Sequence, residues 1–340
     1  MSFPTTRMRR LRHNPILRNL IAETQLSLND LVLPLFIKYG EGVKKPISSM
    51  PGHYQLSIDN LQKEIEEIKN LGISSIMLFG IPEKKDALGS DSYNDNGIIQ
   101  TALMTIKTIA PDLLVSTDVC FCEYTDHGHC GVINEKTGKA DVDNDMTLEL
   151  LAKQAVSYAK AGADLIVPSG MMDGKVSAIR KGLDQAGFQH IPILSHSAKY
   201  ASAFYGAFRE AAECAPQFGD RKTYQMDPAN GDEALREVAM DLEEGADMVM
   251  IKPALSYLDV IYRVKKAFPG VPVAGYHVSG EFAMIKAAAA NGWLDEKKVT
   301  LEALTSIKRA GADFIVNYHC KDVARWLCEQ NQTPKKISHY

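Results

Sequence analysis

The chain has 340 residues, of which 45% are hydrophobic and 24% charged, with a formal net charge of −4. This is the composition of an ordinary soluble enzyme and excludes a general affinity for nucleic acid, while the length suits one or two domains or a single α/β barrel. No apolar run approaches the roughly 20 residues that span a bilayer and the start lacks the apolar core of a secretory signal, so a cytoplasmic protein is expected whose partners are small molecules and itself, with no membrane and no nucleic acid.

In chain order, residues 1–30 read as an appended arm and residues 31–340 as one catalytic domain. The stretch from Thr6 to Arg18 is basic, with no acidic residue before Glu23. A transit peptide has this composition, but the segment runs into Pro15-Ile16-Leu17-Arg18 without a recognisable cleavage site, and an arm wrapping a neighbouring subunit fits at least as well. Strands are predicted at Leu31–Ile37, Ser75–Phe79, Leu113–Asp118, Leu165–Pro168, Ile191–Ser195, Met248–Lys252, Val271–Gly275 and Phe314–Asn317. Helical patterns alternate with them at Ile58–Leu71, Met146–Ala161, Gly174–Ala186, Gly231–Glu244, Tyr257–Phe268, Phe282–Asn291 and Leu301–Ala310. One phrase recurs at the junctions: Ala161-Gly162-Ala163-Asp164, Glu244-Gly245-Ala246-Asp247 and Ala310-Gly311-Ala312-Asp313. Glycine ends each helix because it accepts a left-handed backbone, and the apolar run that follows suits a strand buried on both faces. The fold class is α/β, a single (β/α)8 TIM barrel with an extended N-terminal arm. A doubly wound open sheet shares the alternation, but the segment after the first strand is no Gly-rich phosphate loop. Lys335 and Lys336 read as a solvated tail.

Barrel enzymes carry their chemistry at the C-terminal ends of the strands. Strand three delivers Asp118, Cys120 and Cys122, with Cys130 close behind; strand four Ser169, strand five Lys199, strand six Lys252, strand seven Ser279 and strand eight Tyr318. Three thiolates leave the fourth position of a tetrahedral zinc open to water or substrate, whereas His127 or His129 as a fourth ligand would close a structural site. Cys214, Cys320 and Cys328 read as small buried hydrophobes. Lys199 and Lys252 face one mouth from neighbouring strands. Mutual repulsion and burial disfavour their charged forms, and a neutral lysine attacks ketones to form an imine. The long connection after Lys199 has the length of a lid and carries Arg209 and Arg221, either of which can clamp a carboxylate.

Four segments together resemble the porphobilinogen synthase family, also called 5-aminolaevulinate dehydratase: Asp118 to Thr125 with His127-Gly128-His129-Cys130-Gly131, Ser197 to Gly206, Tyr224-Gln225-Met226-Asp227-Pro228-Ala229-Asn230, and Met250-Ile251-Lys252-Pro253-Ala254. The resemblance implies condensation of two 5-aminolaevulinate molecules to porphobilinogen with loss of two waters, an early step of tetrapyrrole and haem biosynthesis. It implies Lys252 as the Schiff-base residue for the first substrate, with Ser279 and Tyr318 on its carboxylate. Lys199 would engage the second, whose carboxylate meets Arg209, Arg221 and Gln225, with Tyr205 also in the substrate-binding set. It further implies catalytic zinc on Cys120, Cys122 and Cys130, proton transfers assisted by Asp118 and Ser169, an allosteric magnesium at Glu237, and a homo-octamer formed by arm exchange. Two other readings stay open from the residues alone: a class I aldolase with one imine-forming lysine, and a zinc-stabilised scaffold in which the lysines have no role.

Overall fold

The computed structural model describes residues 2–136 and 138–332; Lys335 and Lys336 lie outside them. Eight parallel strands form the barrel: β1 (Leu31–Lys38), β2 (Ser75–Ile81), β3 (Leu114–Val119), β4 (Leu165–Pro168), β5 (Leu194–Lys199), β6 (Met248–Lys252), β7 (Val273–His277) and β8 (Phe314–Asn317). They pair in the order β4-β3-β2-β1-β8-β7-β6-β5. A bridge between Ile166 and Ile193, with Ile166 N donating to Pro192 O at 3.1 Å, brings β4 beside β5 and nearly closes the ring. Helices cover the outside, so the strands are buried on both faces and read as near-continuous apolar runs such as Leu31 to Ile37.

The recurring Gly-Ala-Asp phrase does two jobs. Gly162, Gly245 and Gly311 take φ values of 104°, 106° and 121° as their helices end, a conformation closed to most other residues. The aspartate two residues later ties its strand to the strand before it. Asp164 Oδ2 accepts from Val115 N at 2.7 Å, Asp247 Oδ2 from Ile193 N at 2.8 Å, and Asp313 Oδ2 from Val273 N at 2.7 Å. Each carboxylate satisfies a backbone donor where the ladder begins, and Lys107 and Lys265 close two of the three with ion pairs.

Two strands sit further along the chain than the sequence pattern predicts. The fifth runs Leu194–Lys199, not Ile191–Ser195, and the seventh Val273–His277, not Val271–Gly275. Ser195, His196 and Ser197 look like loop residues by polarity, yet all three are buried within the strand, where Ser195 Oγ donates to Asp241 Oδ2 at 2.7 Å. Lys199 is therefore the last residue of its strand, held by the ladder. Ile98–Ile109 and Cys320–Gln332 are helical as well. Ser279 opens the helix Ser279–Ala290 instead of ending a strand. Cys214 and Cys320 are buried as expected; Cys328 is exposed, on the outer face of the last helix.

The connection from Tyr200 to Asp232 folds over the mouth as a short helix, Gly206–Ala211, followed by irregular chain. Residues 2–23 are almost wholly exposed, including the apolar side chains of Phe3, Met8, Leu11, Ile16, Leu20 and Ile21. Among the described residues no helix is long and apolar enough to cross a membrane.

Candidate active site

Lys199 and Lys252 are register partners on β5 and β6, and both are buried. Their surroundings differ. Lys199 Nζ donates to the carbonyl of Ser169 at 2.6 Å, and Ser169 Oγ donates to Asp118 Oδ2 at 3.0 Å. Asp118 Oδ1 is buried and makes no hydrogen bond, leaving one acceptor unused. Burial, then the neighbouring Glu123 charge, pushes Asp118 up to about 7 against the pull of the two lysines. Burial works against the charged form of Lys199 as well, but Cys130, Cys120 and Asp118 outweigh it and raise its pKa.

Lys252 instead sits among rings. Its Nζ lies 4.0 Å from the centroid of Tyr276, 5.3 Å from Phe208 and 5.7 Å from Tyr205. Tyr205 Oη donates to the Lys252 carbonyl at 3.2 Å, and the Tyr276 and Tyr318 hydroxyls pair at 3.0 Å. Burial first and the Lys199 charge second bring Lys252 down to about 7, so a large share of this amine is neutral at neutral pH. Of the two amines expected to repel, the aromatic-walled one gives up its proton.

The thiols of Cys120, Cys122 and Cys130 are all buried and lie within 4.8 Å of one another, with Cys120 and Cys122 Sγ at 3.5 Å. Mutual contact and burial hold the Cys120 thiol well above its usual range, since adjacent thiolates need a cation between them. Three convergent soft donors fit a thiophilic divalent ion. Neither histidine completes the group. His129 contacts Tyr224 Oη at 3.0 Å and Phe218 O at 2.9 Å through its two ring nitrogens, and His127 is engaged by His129 N and Ala87 O.

The comparisons with known proteins agree with one another. A model of the family described as delta-aminolevulinic acid dehydratase matches residues 5–326. Delta-aminolevulinic acid dehydratase of Synechocystis is 59% identical over 325 residues, covering 96% of this chain and 99% of its own, and that of Bacillus subtilis is 53% identical over 329 residues, covering 97% and 100%. The chain belongs to the delta-aminolevulinic acid dehydratase family. The crystal structure of the Toxoplasma gondii dehydratase, solved with the product porphobilinogen, superposes with a TM-score of 0.94 at 44% identity, covering 98% of this chain and 95% of that one. The activity is accordingly that of a hydro-lyase, which condenses aminolevulinate to porphobilinogen in tetrapyrrole synthesis.

The remaining dehydratase-type residues divide between the lid and a side cavity. Arg221 Nη2 donates to the carbonyls of Gly128 and Cys214, both at 2.8 Å, which ties the lid to the cysteine loop. The Nε atoms of Arg221 and Arg209 and Nε2 of Gln225 are buried without hydrogen-bond partners, three donors that a carboxylate would satisfy. On the Lys252 side, Ser279 Oγ accepts from Phe208 N at 2.9 Å, and the Tyr318 ring lies 6.1 Å from that of Tyr276. Glu237 lines a cavity of about 440 Å³ whose wall also includes Gln225, with Asp141, Asp173, Asp227, Glu233 and Lys222, and burial raises its pKa. The structure adds residues that sequence patterns missed. Tyr276 and Phe208 wall Lys252, and the buried Glu123 accepts from Cys122 Sγ at 3.3 Å. Glu123 was legible as an acid beside a cysteine; the two rings carried no local signal.

Proposed function

We propose that Lys252 and Lys199 each bind one aminolaevulinate as an imine and that a zinc ion on Cys120, Cys122 and Cys130 serves the second. The observation that carries this reading is the in-register pair of buried lysines with opposite surroundings. Neutral Lys252 attacks the ketone of the first substrate; the carbinolamine loses water and the imine nitrogen draws electrons from the adjacent carbon. Ser279 and Tyr318 bind that substrate's carboxylate, and Tyr205 closes the pocket from the lid. The Arg209, Arg221 and Gln225 donors orient the second carboxylate. Ser169 and Asp118 lie along the Lys199 side, where the open Asp118 oxygen can take up a proton and return it. When bound, zinc supplies a Lewis acid with a free coordination position.

The exposed apolar residues of the basic arm support arm exchange into a homo-octamer. The acidic cavity at Glu237 supports an allosteric magnesium that keeps most of its waters. Six free cysteines, five of them buried, suit the reducing cytoplasm. The arm at residues 1–30 and the catalytic domain from residue 31 are proposed as the functional division. The test is porphobilinogen formation from 5-aminolaevulinate by the purified protein before zinc chelation, after it, and after zinc is restored, with borohydride trapping to map the modified lysines. Zinc-reversible turnover and a reduced adduct on Lys252 are expected. Pyrrole formation without a lysine adduct, or undiminished in zinc-free protein, would overturn the assignment.

A further inference from the structure

The buried carboxylate of Glu281 takes no part in the chemistry above, yet it touches two of the loops that do. Glu281 is fully buried in the first turn of the helix Ser279–Ala290. Its Oε2 accepts from Val278 N at 2.8 Å, the reach-back half of a helix cap. Its Oε1 leaves the helix and accepts from Leu255 N, also at 2.8 Å, in the loop that follows Lys252. The same turn abuts the lid: Ser279 Oγ accepts from Phe208 N, and a Cβ on Gly280 would stand 2.5 Å from Phe204 O. Ser279, the Lys252 loop and the start of the lid thus meet around one side chain.

We propose that Glu281 is a positioning residue for the first substrate: by bonding one backbone donor on the Lys252 loop and one beside Ser279, it fixes the distance between the imine-forming amine and the carboxylate-binding hydroxyl. The proposal rests on the assignment of Lys252 and Ser279 given above. A helix cap alone explains only the bond to Val278. The bond to Leu255 crosses between loops and adds nothing to the helix. Two 2.8 Å bonds from one carboxyl group to separate segments make a bridge, and both partners are main-chain groups. The substrate spans the same two loops, with its ketone at Lys252 and its carboxylate at Ser279, so slack between them would be felt as weaker binding and slower imine formation.

Replacement by glutamine separates the two roles. Glutamine serves as well as glutamate in the reach-back position of a cap, so Glu281→Gln keeps the bond to Val278 and turns an amide donor toward Leu255 N. A bridging role predicts that KM for 5-aminolaevulinate rises about tenfold, equal to about 1.4 kcal/mol. Borohydride trapping at Lys252 slows below saturation, while zinc content stays near wild type and the Leu255 amide exchanges faster with deuterium. A pure cap predicts wild-type KM and trapping for this variant, and that result overturns the proposal. Glu281→Asp is the second variant: its shorter stem keeps the charge but not both bonds, and if Glu281→Gln fails to fold, unchanged KM and trapping in Glu281→Asp would sink the bridge. Wild-type protein is trapped in parallel; absence of an adduct on wild-type Lys252 would mean that the underlying assignment has failed, whereas a wild-type adduct with an unaffected variant condemns the bridge alone.

Discussion

The two halves of the barrel mouth hold the same functional group in opposite ways. On one side Lys199 donates to the Ser169 carbonyl and lies beside Asp118 and the cysteine cluster, whose negative charges favour its ammonium form. On the other, across one ladder step, Lys252 is walled by Tyr205, Phe208 and Tyr276 and left with a pKa of about 7. Ring faces attract an ammonium, but by less than water does, so an aromatic wall that excludes water still lowers a lysine's pKa. One fold thus sets side by side an amine poised to attack as the free base and one that must first give up its proton, and the environment of each decides which is which.

The harshest test of this division removes the nucleophile. Lys252→Ala is expected to lower kcat by about 10⁴-fold or more while the protein stays folded and zinc-loaded, measured by pyrrole formation, circular dichroism and metal analysis. Unfolding or metal loss in that variant would favour the scaffold reading instead. Next in size is the thiol half: Cys130→Ala should weaken zinc binding by more than about 100-fold, beyond what partners that merely orient a ligand contribute. Lys252 should still be trapped with borohydride in that variant, because the aromatic half does not depend on the metal; joint loss of trapping and zinc would show that the halves are not separable. A smaller effect is expected at the lid, where Arg209→Ala should raise KM about tenfold with a lesser change in kcat, the loss of about 1.4 kcal/mol of carboxylate binding.

How far these halves could be read from sequence follows from how local each is. The strand and helix alternation is legible because Gly162, Gly245 and Gly311 mark the junctions chemically, and Cys120, Cys122 and Cys130 announce themselves within one loop. The strand register around Lys199 was not legible. Ser195, His196 and Ser197 look like loop residues until Asp241 is seen to take the Ser195 hydroxyl, and the Pro168 carbonyl one ring nitrogen of His196, inside the barrel wall. The aromatic box is assembled from the lid and β7, with Tyr318 beyond β8 pairing its hydroxyl with Tyr276, so no window of sequence contains it. Asp164, Asp247 and Asp313 lay in plain view in the repeated phrase, but their bonds run to other strands and only the assembled sheet reveals them.

The finest distinction between the halves is the proton affinity of Lys252, which the rate of imine trapping at subsaturating substrate reports. With its pKa near 7, the neutral fraction and the trapping rate should climb through pH 7 and level off above it, rising about tenfold from pH 6 to pH 8. Lys199→Met removes a like charge and should move this midpoint up, because the second-largest influence lowering Lys252 is gone. Tyr276→Leu should move it down by about 0.4–1.5 units, since the ring 4.0 Å from Nζ stabilises the ammonium by about 0.5–2 kcal/mol. Tyr276→Phe keeps the ring face and removes only the hydroxyl that pairs with Tyr318, so its midpoint should stay with wild type. If Tyr276→Phe shifts as far as Tyr276→Leu, the hydroxyl pair and not the ring wall governs the amine, and the contrast between the two halves reduces to a difference in hydrogen bonding.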